Sequence, residues 1–212
     1  MAYLIIRLRV FALFLFILVN GIVGTVLAQT PNEQQARRLF DHTYQLVYGA
    51  QGASLHYDVN LIGIYKTSGD ICYKGKKSKF VDARLNVWND GKNYYKVERK
   101  KKTVTIFDSN SDKKDKYASD FKFYPNNYTY HIEDDPKGYL ITLKLKPKHK
   151  GMKLVKVLID KKTHAPINLR IKVAFFWANV DITNFKSGNI NDQTFVFPRE
   201  TYAKYKFIDK RE

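Results

Sequence analysis

Five histidines, one cysteine and one short acidic run are the residues of this 212-residue chain best suited to chemistry. His42, His56, His131, His149 and His164 are scattered, and none stands at metal-ligand spacing from another or from Cys72. A lone histidine is more often a surface or satisfied polar residue than a ligand. Glu133-Asp134-Asp135 runs directly into Pro136-Lys137-Gly138, which reads as a solvated turn. A calcium loop needs more oxygen ligands at defined spacing. The chain has no G-x-S-x-G, no H-E-x-x-H and no glycine-rich phosphate loop. Its serines show no His/Asp constellation in the sequence. Cys72 reads as a small residue packed in a strand rather than a nucleophile. The expectation is therefore a non-enzyme with no catalytic residue, metal or cofactor. A secreted hydrolase with a triad assembled from distant residues is the weakest of the alternatives.

The N-terminus explains where such a chain works. Arg7 and Arg9 supply a positive start, Val10 to Val19 is unbroken apolar sequence, and Val26-Leu27-Ala28 offers tolerated residues at the −3 and −1 positions. Residues 1–28 are expected to be a cleaved signal peptide, with an uncleaved anchor as the alternative. Residues 29–212 then form one domain, exported to a periplasm. A single cysteine excludes an intramolecular disulfide, which suits that compartment. The formal charge is +17, and removing the two signal arginines leaves +15. Such an excess attracts polyanions. Export and the lack of helix-turn-helix, RNP or zinc-finger patterns argue against nucleic acid. An anionic membrane surface, contacted transiently, is the natural partner. Lys74 to Lys79, Arg99 to Lys102 and Lys146 to Lys153 fall at turns or strand ends, where any one of them is ordinarily just a solvated loop.

One helix is expected, opening on Thr30-Pro31-Asn32-Glu33 as a capping box and stopping at Gly49 and Gly52. Ala36, Leu39, Phe40, Thr43, Leu46 and Val47 share its apolar face. From Ser54 the period changes to two. Tyr57, Val59, Leu61 and Tyr65 alternate with polar residues, and so do Val81, Ala83, Leu85 and Val87. Asp90-Gly91 marks a hairpin, with strands at Asn93 to Glu98 and Thr103 to Phe107. Ser111 to Asn127 reads as an insert with a short helix. Strands resume at Tyr139 to Leu145, Val155 to Ile159 and Ile167 to Phe175, then at Val180 and Ile182, Thr194 to Phe197 and Tyr205 to Ile208. The pattern predicts a mainly β (α+β) protein: a large, mostly antiparallel, strongly curved sheet with one apolar face. The helix and the insert are the covers expected for that face.

The order of these features resembles the LolA-like periplasmic carriers of outer-membrane lipoproteins. The resemblance covers nearly all of residues 29–212. It rests on the helix directly after the signal, the Asn89-Asp90-Gly91-Lys92 turn and the strand ending Val104-Thr105-Ile106. It continues through Leu143-Lys144-Leu145-Lys146-Pro147-Lys148, then Ile159-Asp160-Lys161 before Pro166-Ile167-Asn168-Leu169. It closes on Phe195-Val196-Phe197 and Phe207-Ile208-Asp209-Lys210-Arg211, which is similar to a family branch ending in Ile-Asp-x-Arg. The Gly-x-Phe-x-Gln stretch of better-known members is not evident here.

The resemblance implies an open half-barrel under a helical lid and a monomer that carries acylated lipoproteins. Its partners would be an inner-membrane lipoprotein-releasing transporter and an outer-membrane acceptor. Arg37 and Arg38 are the candidates for an arginine that latches the lid. The implied acyl-chain lining is Leu39, Phe40, Val47, Tyr57, Val59, Leu61, Val81, Leu85, Ile141, Leu143, Ile171, Val173 and Phe175. The same residues serve equally as an ordinary dry core, and a one-residue slip in register would turn any of these strands inside out. A lipid- or lipoprotein-sensing regulatory module of the same fold is the other alternative.

Overall fold

The computed structural model describes residues 29–61, 65–83, 85–111, 123–173 and 175–211. The expected signal peptide and most of the expected insert lie outside these residues. Among them, no helix is long and apolar enough to cross a membrane.

Helix α1 spans Pro31–Tyr48. Thr30 Oγ1 accepts the Glu33 N–H at 3.2 Å, and Pro31 sits where a helix has no use for an N–H. Gly49 ends it, with its N–H on the Gln45 carbonyl. Gly52 then turns the chain at φ +76°, where a Cβ would lie 2.5 Å from the Tyr73 carbonyl oxygen.

Twelve strands follow: β1 Ala53–Leu61, β2 Tyr65–Lys74, β3 Lys77–Asp82, β4 Leu85–Asn89, β5 Asn93–Glu98, β6 Thr103–Asp108, β7 Tyr128–Asp135, β8 Gly138–Leu145, β9 Leu154–Ile159, β10 Pro166–Val173, β11 Phe176–Ser187 and β12 Lys206–Asp209. They form one sheet in the order β12-β6-β5-β4-β3-β2-β1-β11-β10-β9-β8-β7. The sheet is a strongly curved half-barrel, with β12 and β7 as unjoined edges. All neighbours are antiparallel hairpin partners except two. Antiparallel β1 and β11 join the two halves, and β12 lies parallel to β6. Turn chemistry matches the expectation. Asp90 Oδ1 accepts the N–H groups of Lys92 and Asn93 at 2.8 and 2.6 Å beside Gly91 at φ +94°. Asp160 Oδ1 does the same for Lys162 and Thr163 at 2.9 and 2.7 Å. Of the insert, Pro125–Asn127 is a single 3-10 turn.

Two expectations about elements are corrected. Thr194 to Phe197 is not a strand: Asp192–Phe195 is a 3-10 turn capped by Asn191 Oδ1 on the Gln193 N–H. The sheet also has an apolar patch on its outer side. There Trp88, Val97, Val104 and Ile106 are buried with Tyr202, and Phe197, Tyr205 and Phe207 pack against them. Phe197 stacks on Tyr95 with centroids 4.4 Å apart, and its ring lies 5.5 Å from that of Trp88. The C-terminal segment is thus a second cover, on the face opposite the helix. It crosses the outside of β4–β6 and enters the edge parallel to β6.

Candidate functional site

One continuous apolar cluster occupies the inner face. It takes in Ala36 and Val47 of α1 and at least one buried residue from each of β1 to β11, among them Leu61, Ile71, Phe80, Val87, Tyr94, Phe107, Ile141, Leu143 and Ile171. Alternation builds it. In β1, Leu55, Tyr57, Val59 and Leu61 are buried while Asp58 and Asn60 face water. In β9, Val155, Val157 and Ile159 repeat the pattern. Gly69 of β2 leaves room for a large ring, since a Cβ there would sit 2.6 Å from the Tyr57 hydroxyl. Tyr57 stacks on Phe80 with centroids 5.5 Å apart.

The helix lies over this face and packs chiefly against edge strand β7, touching β1 and β2 as well. A few polar tethers hold it. Asn32 completes the free edge of β7: its Nδ2 donates to the Ile132 carbonyl at 2.9 Å, and its Oδ1 accepts the Ile132 N–H at 3.0 Å. Thr43 Oγ1 donates to the His164 carbonyl, and Ser187 Oγ to that of Leu46, both at 2.9 Å. Arg37 pairs with Asp41 at 2.7 Å, donates to Asn126 Oδ1 at 3.1 Å and lies over the Tyr130 ring. It therefore ties the helix to the segment before β7. Arg38 is exposed.

Where α1 meets the sheet, the contact is aromatic. Phe40, Tyr44 and Tyr48 follow one another at i, i+4 and i+8, with centroid separations of 6.3 and 4.7 Å. Phe40 also meets Phe123 and Tyr130, and Tyr48 meets Tyr73. Tyr130 donates its hydroxyl to the Pro125 carbonyl at 2.8 Å. Burial pushes the Tyr73 and Tyr130 hydroxyls well above the ordinary tyrosine value and that of Tyr128 up to about 12. Raised acids are neutral in the folded protein when their unfolded counterparts ionise. Stability is thus intact below pH 10 and falls as pH climbs from 10 toward the folded values. Each tyrosine kept neutral makes a slope of about 1.4 kcal/mol per pH unit. Urea melts between pH 9 and 11.5 are expected to show this alkaline loss, and Tyr73→Phe to make it shallower.

The sequence-predicted lining divides as follows. Tyr57, Val59, Leu61, Ile141, Leu143, Ile171 and Val47 are buried in the inner cluster, and Leu39, Phe40 and Leu85 pack against it partly buried. Val81 does not join them. Strand β3 ends at Asp82, and Ser78, Phe80 and Asp82 are its buried residues. Val81 and Leu85 lie on opposite sides of a turn, where Asp82 Oδ1 accepts the Leu85 N–H at 2.6 Å. Reading Val81 through Val87 as one strand crossed that turn and inverted the face of β3. Phe175 also stands apart. It sits in the β10–β11 turn and is 92% exposed. Val173 pairs with Phe176, and its side chain lies outside the described set. Tyr44, Tyr48 and Tyr73 were missed. The i, i+4, i+8 spacing from Phe40 was the available signal for the first two.

Among the described residues, other polar groups show no comparable convergence. His56 stands between Asp70 at 2.8 Å and Asp58 at 3.7 Å on the outer face of β1 and β2. Cys72 is half-buried in β2, and burial pushes its thiol pKa up, away from the thiolate an activated nucleophile needs. No cluster of three or more His, Cys, Asp or Glu suited to a metal occurs among the described residues.

These features define an open β half-barrel with an aromatic-lined inner face beneath an N-terminal helix. No family model matches the sequence, and no curated protein sequence matches it. Among solved structures, it has the fold of an uncharacterized conserved protein from Thermus thermophilus, with a TM-score of 0.57 at 9% identity, covering 84% of this chain and 100% of that one. The Mycobacterium tuberculosis lipoprotein LppX is similar at a lower TM-score (0.45, 12% identity, 75% of this chain and 98% of that one). A LolA superfamily protein from Nitrosomonas europaea scores 0.36 at 7% identity, over 76% of this chain and 97% of that one.

Proposed function

We propose that this protein is a LolA-like periplasmic carrier that shields the acyl chains of lipoproteins on its inner face while they move between membranes. The observation that carries the reading is the unbroken apolar face contributed by eleven strands of an open sheet, with a helix laid over it by aromatic packing and a few polar tethers. The ordered resemblance of the sequence to that family supports it, as does the signal-like pattern expected of residues 1–28. The mechanism is partition rather than bond-making. Each buried methylene contributes about 0.8 kcal/mol, so an acyl chain of roughly fifteen carbons needs on the order of 10 kcal/mol from the site to leave a bilayer. Release of the Asn32 and Arg37 tethers would open the β7 edge to a chain. Loading from an inner-membrane releasing transporter and delivery to an outer-membrane acceptor complete the cycle, with the carrier acting as a monomer and without catalysis.

Purification from the periplasm, native mass spectrometry and lipid extraction test this reading directly. Co-purifying acylated lipoprotein or lipid is expected. Uptake of a fluorescent acyl probe is expected to weaken at least tenfold in Leu39→Glu and Leu85→Glu, both partly buried, and to persist in Val81→Glu on the outer face. A protein that is empty and takes up neither probe nor lipoprotein from inner-membrane vesicles overturns the carrier. Binding of lipid without transfer to an acceptor membrane instead favours the sensing module.

A further inference from the structure

The strand directions divide the loops between two ends of the half-barrel, and the two ends differ in charge. The β5–β6 and β8–β9 connections open at the same end, because β5 and β8 run toward it while β6 and β9 run away. Their sequences, Arg99 to Lys102 and Lys146 to Lys153, hold eight lysines and arginines and no carboxylate. Lys100, Lys101, Lys102, Lys148, Lys150 and Lys153 are exposed. Glu98, at the end of β5, is already paired to Lys101 at 2.7 Å. Six strands, β4 to β1 and then β11 and β10, lie between these connections in the sheet order, so the two basic loops flank that end of the curved sheet. The β10–β11 turn emerges between them and carries Phe175, 92% exposed. Tyr124, 45% exposed, stands beside Lys146 through the chain of Lys146 N–H to the Asn127 carbonyl and Asn127 N–H to the Tyr124 carbonyl.

The opposite end is mixed. Asp90 and Asp160 sit in its turns and Asp108, Asp134 and Asp135 at its strand ends, next to lysines such as Lys161, which pairs with Asp134.

We propose that the end bearing the β5–β6, β8–β9 and β10–β11 connections is a docking surface for an anionic phospholipid bilayer, with Phe175 as its apolar anchor. Clustered cations draw the protein to anionic headgroups over about a Debye length. An aromatic ring held out at the tip of a tight turn inserts at the acyl boundary without unfolding anything. A plain polyanion would be recognised by the lysines alone, whereas a bilayer uses Phe175 as well. The surface deepens the carrier reading, since it names the membrane-facing end of the same half-barrel, but it is tested without cargo.

The test is flotation of the full mature chain with vesicles of phosphatidylglycerol and phosphatidylcholine at about 30:70, against pure phosphatidylcholine, at about 50 mM salt. Binding to the anionic vesicles only is expected. Lys148→Glu/Lys150→Glu and, separately, Phe175→Ser are each expected to weaken it by about tenfold. The opposite-end control Lys161→Glu/Lys162→Glu is expected to leave it unchanged, and circular dichroism verifies that all variants fold. Absence of binding, an equal loss in the control, or a loss with the lysine variant alone and none with Phe175→Ser overturns the proposal. Acyl-probe uptake in vesicle-free solution, measured on the same variants, separates this failure from that of the carrier.

Discussion

Phe80→Ala is expected to lower the unfolding free energy by about 3–5 kcal/mol, while Val81→Ala next to it costs about 1 kcal/mol or less. Phe80 is 0% exposed on the inner face, stacked on Tyr57 and opposite Ile71 and Val87 in the neighbouring strands. Its removal leaves a ring-sized void among residues that cannot collapse, because each is fixed by its own strand pairing. Val81 lies on the other face between Asp70 and Asn86, partly exposed, and its truncation opens no cavity. Urea denaturation of the two variants reads the difference. Equal costs would mean that the face of β3 is assigned wrongly.

Trp88→Ala is expected to cost a similar amount, about 3–5 kcal/mol, and to loosen the C-terminal segment. Trp88 is the hub of the outer cluster, with Phe197 at 5.5 Å, Tyr202 at 5.7 Å and the Lys79 ammonium over its ring. The segment from Asp192 to Tyr205 has no sheet partners of its own. Its other anchors include Asn86, whose side-chain amide meets the Tyr202 hydroxyl at 3.0 Å, and the Lys206 N–H on the Lys102 carbonyl. Hydrogen exchange is expected to accelerate in residues 192–209 while β8–β10 stay protected, because those strands share no side chain with the outer cluster. Uniform acceleration across the sheet would instead show that the segment opens only with global unfolding.

The two largest effects fall on opposite faces of the same sheet, and that bears on the proposed function. Under the proposed carrier function, the half-barrel must keep its curvature while the helix is displaced by a chain. The outer cluster braces β4–β6 without any residue of α1.

What the amino-acid sequence determined by itself was everything encoded in local period and turn chemistry. Thr30 and Pro31 start the helix, the Asp90-Gly91 and Asp160 turns place hairpins, and strict alternation in Tyr57 to Leu61 and Ile141 to Leu143 marks the inner face. These signals are legible because capping, turn geometry and pleat act over a few residues. The face of β3 was not legible, because Val81, Ala83, Leu85 and Val87 keep a two-residue period across a turn at which the strand reverses. Nor was the outer cover. Phe197 and Tyr202 become apolar contacts for Trp88 only after more than a hundred residues of chain have folded between them, and β12 pairs parallel to β6 because the segment arrives from across the outer face. The convergence of eleven strands on one inner cluster, and of two distant basic loops on one end, is likewise a product of strand order. Periodicity sets which way a side chain points, whereas only the tertiary structure decides what it points at.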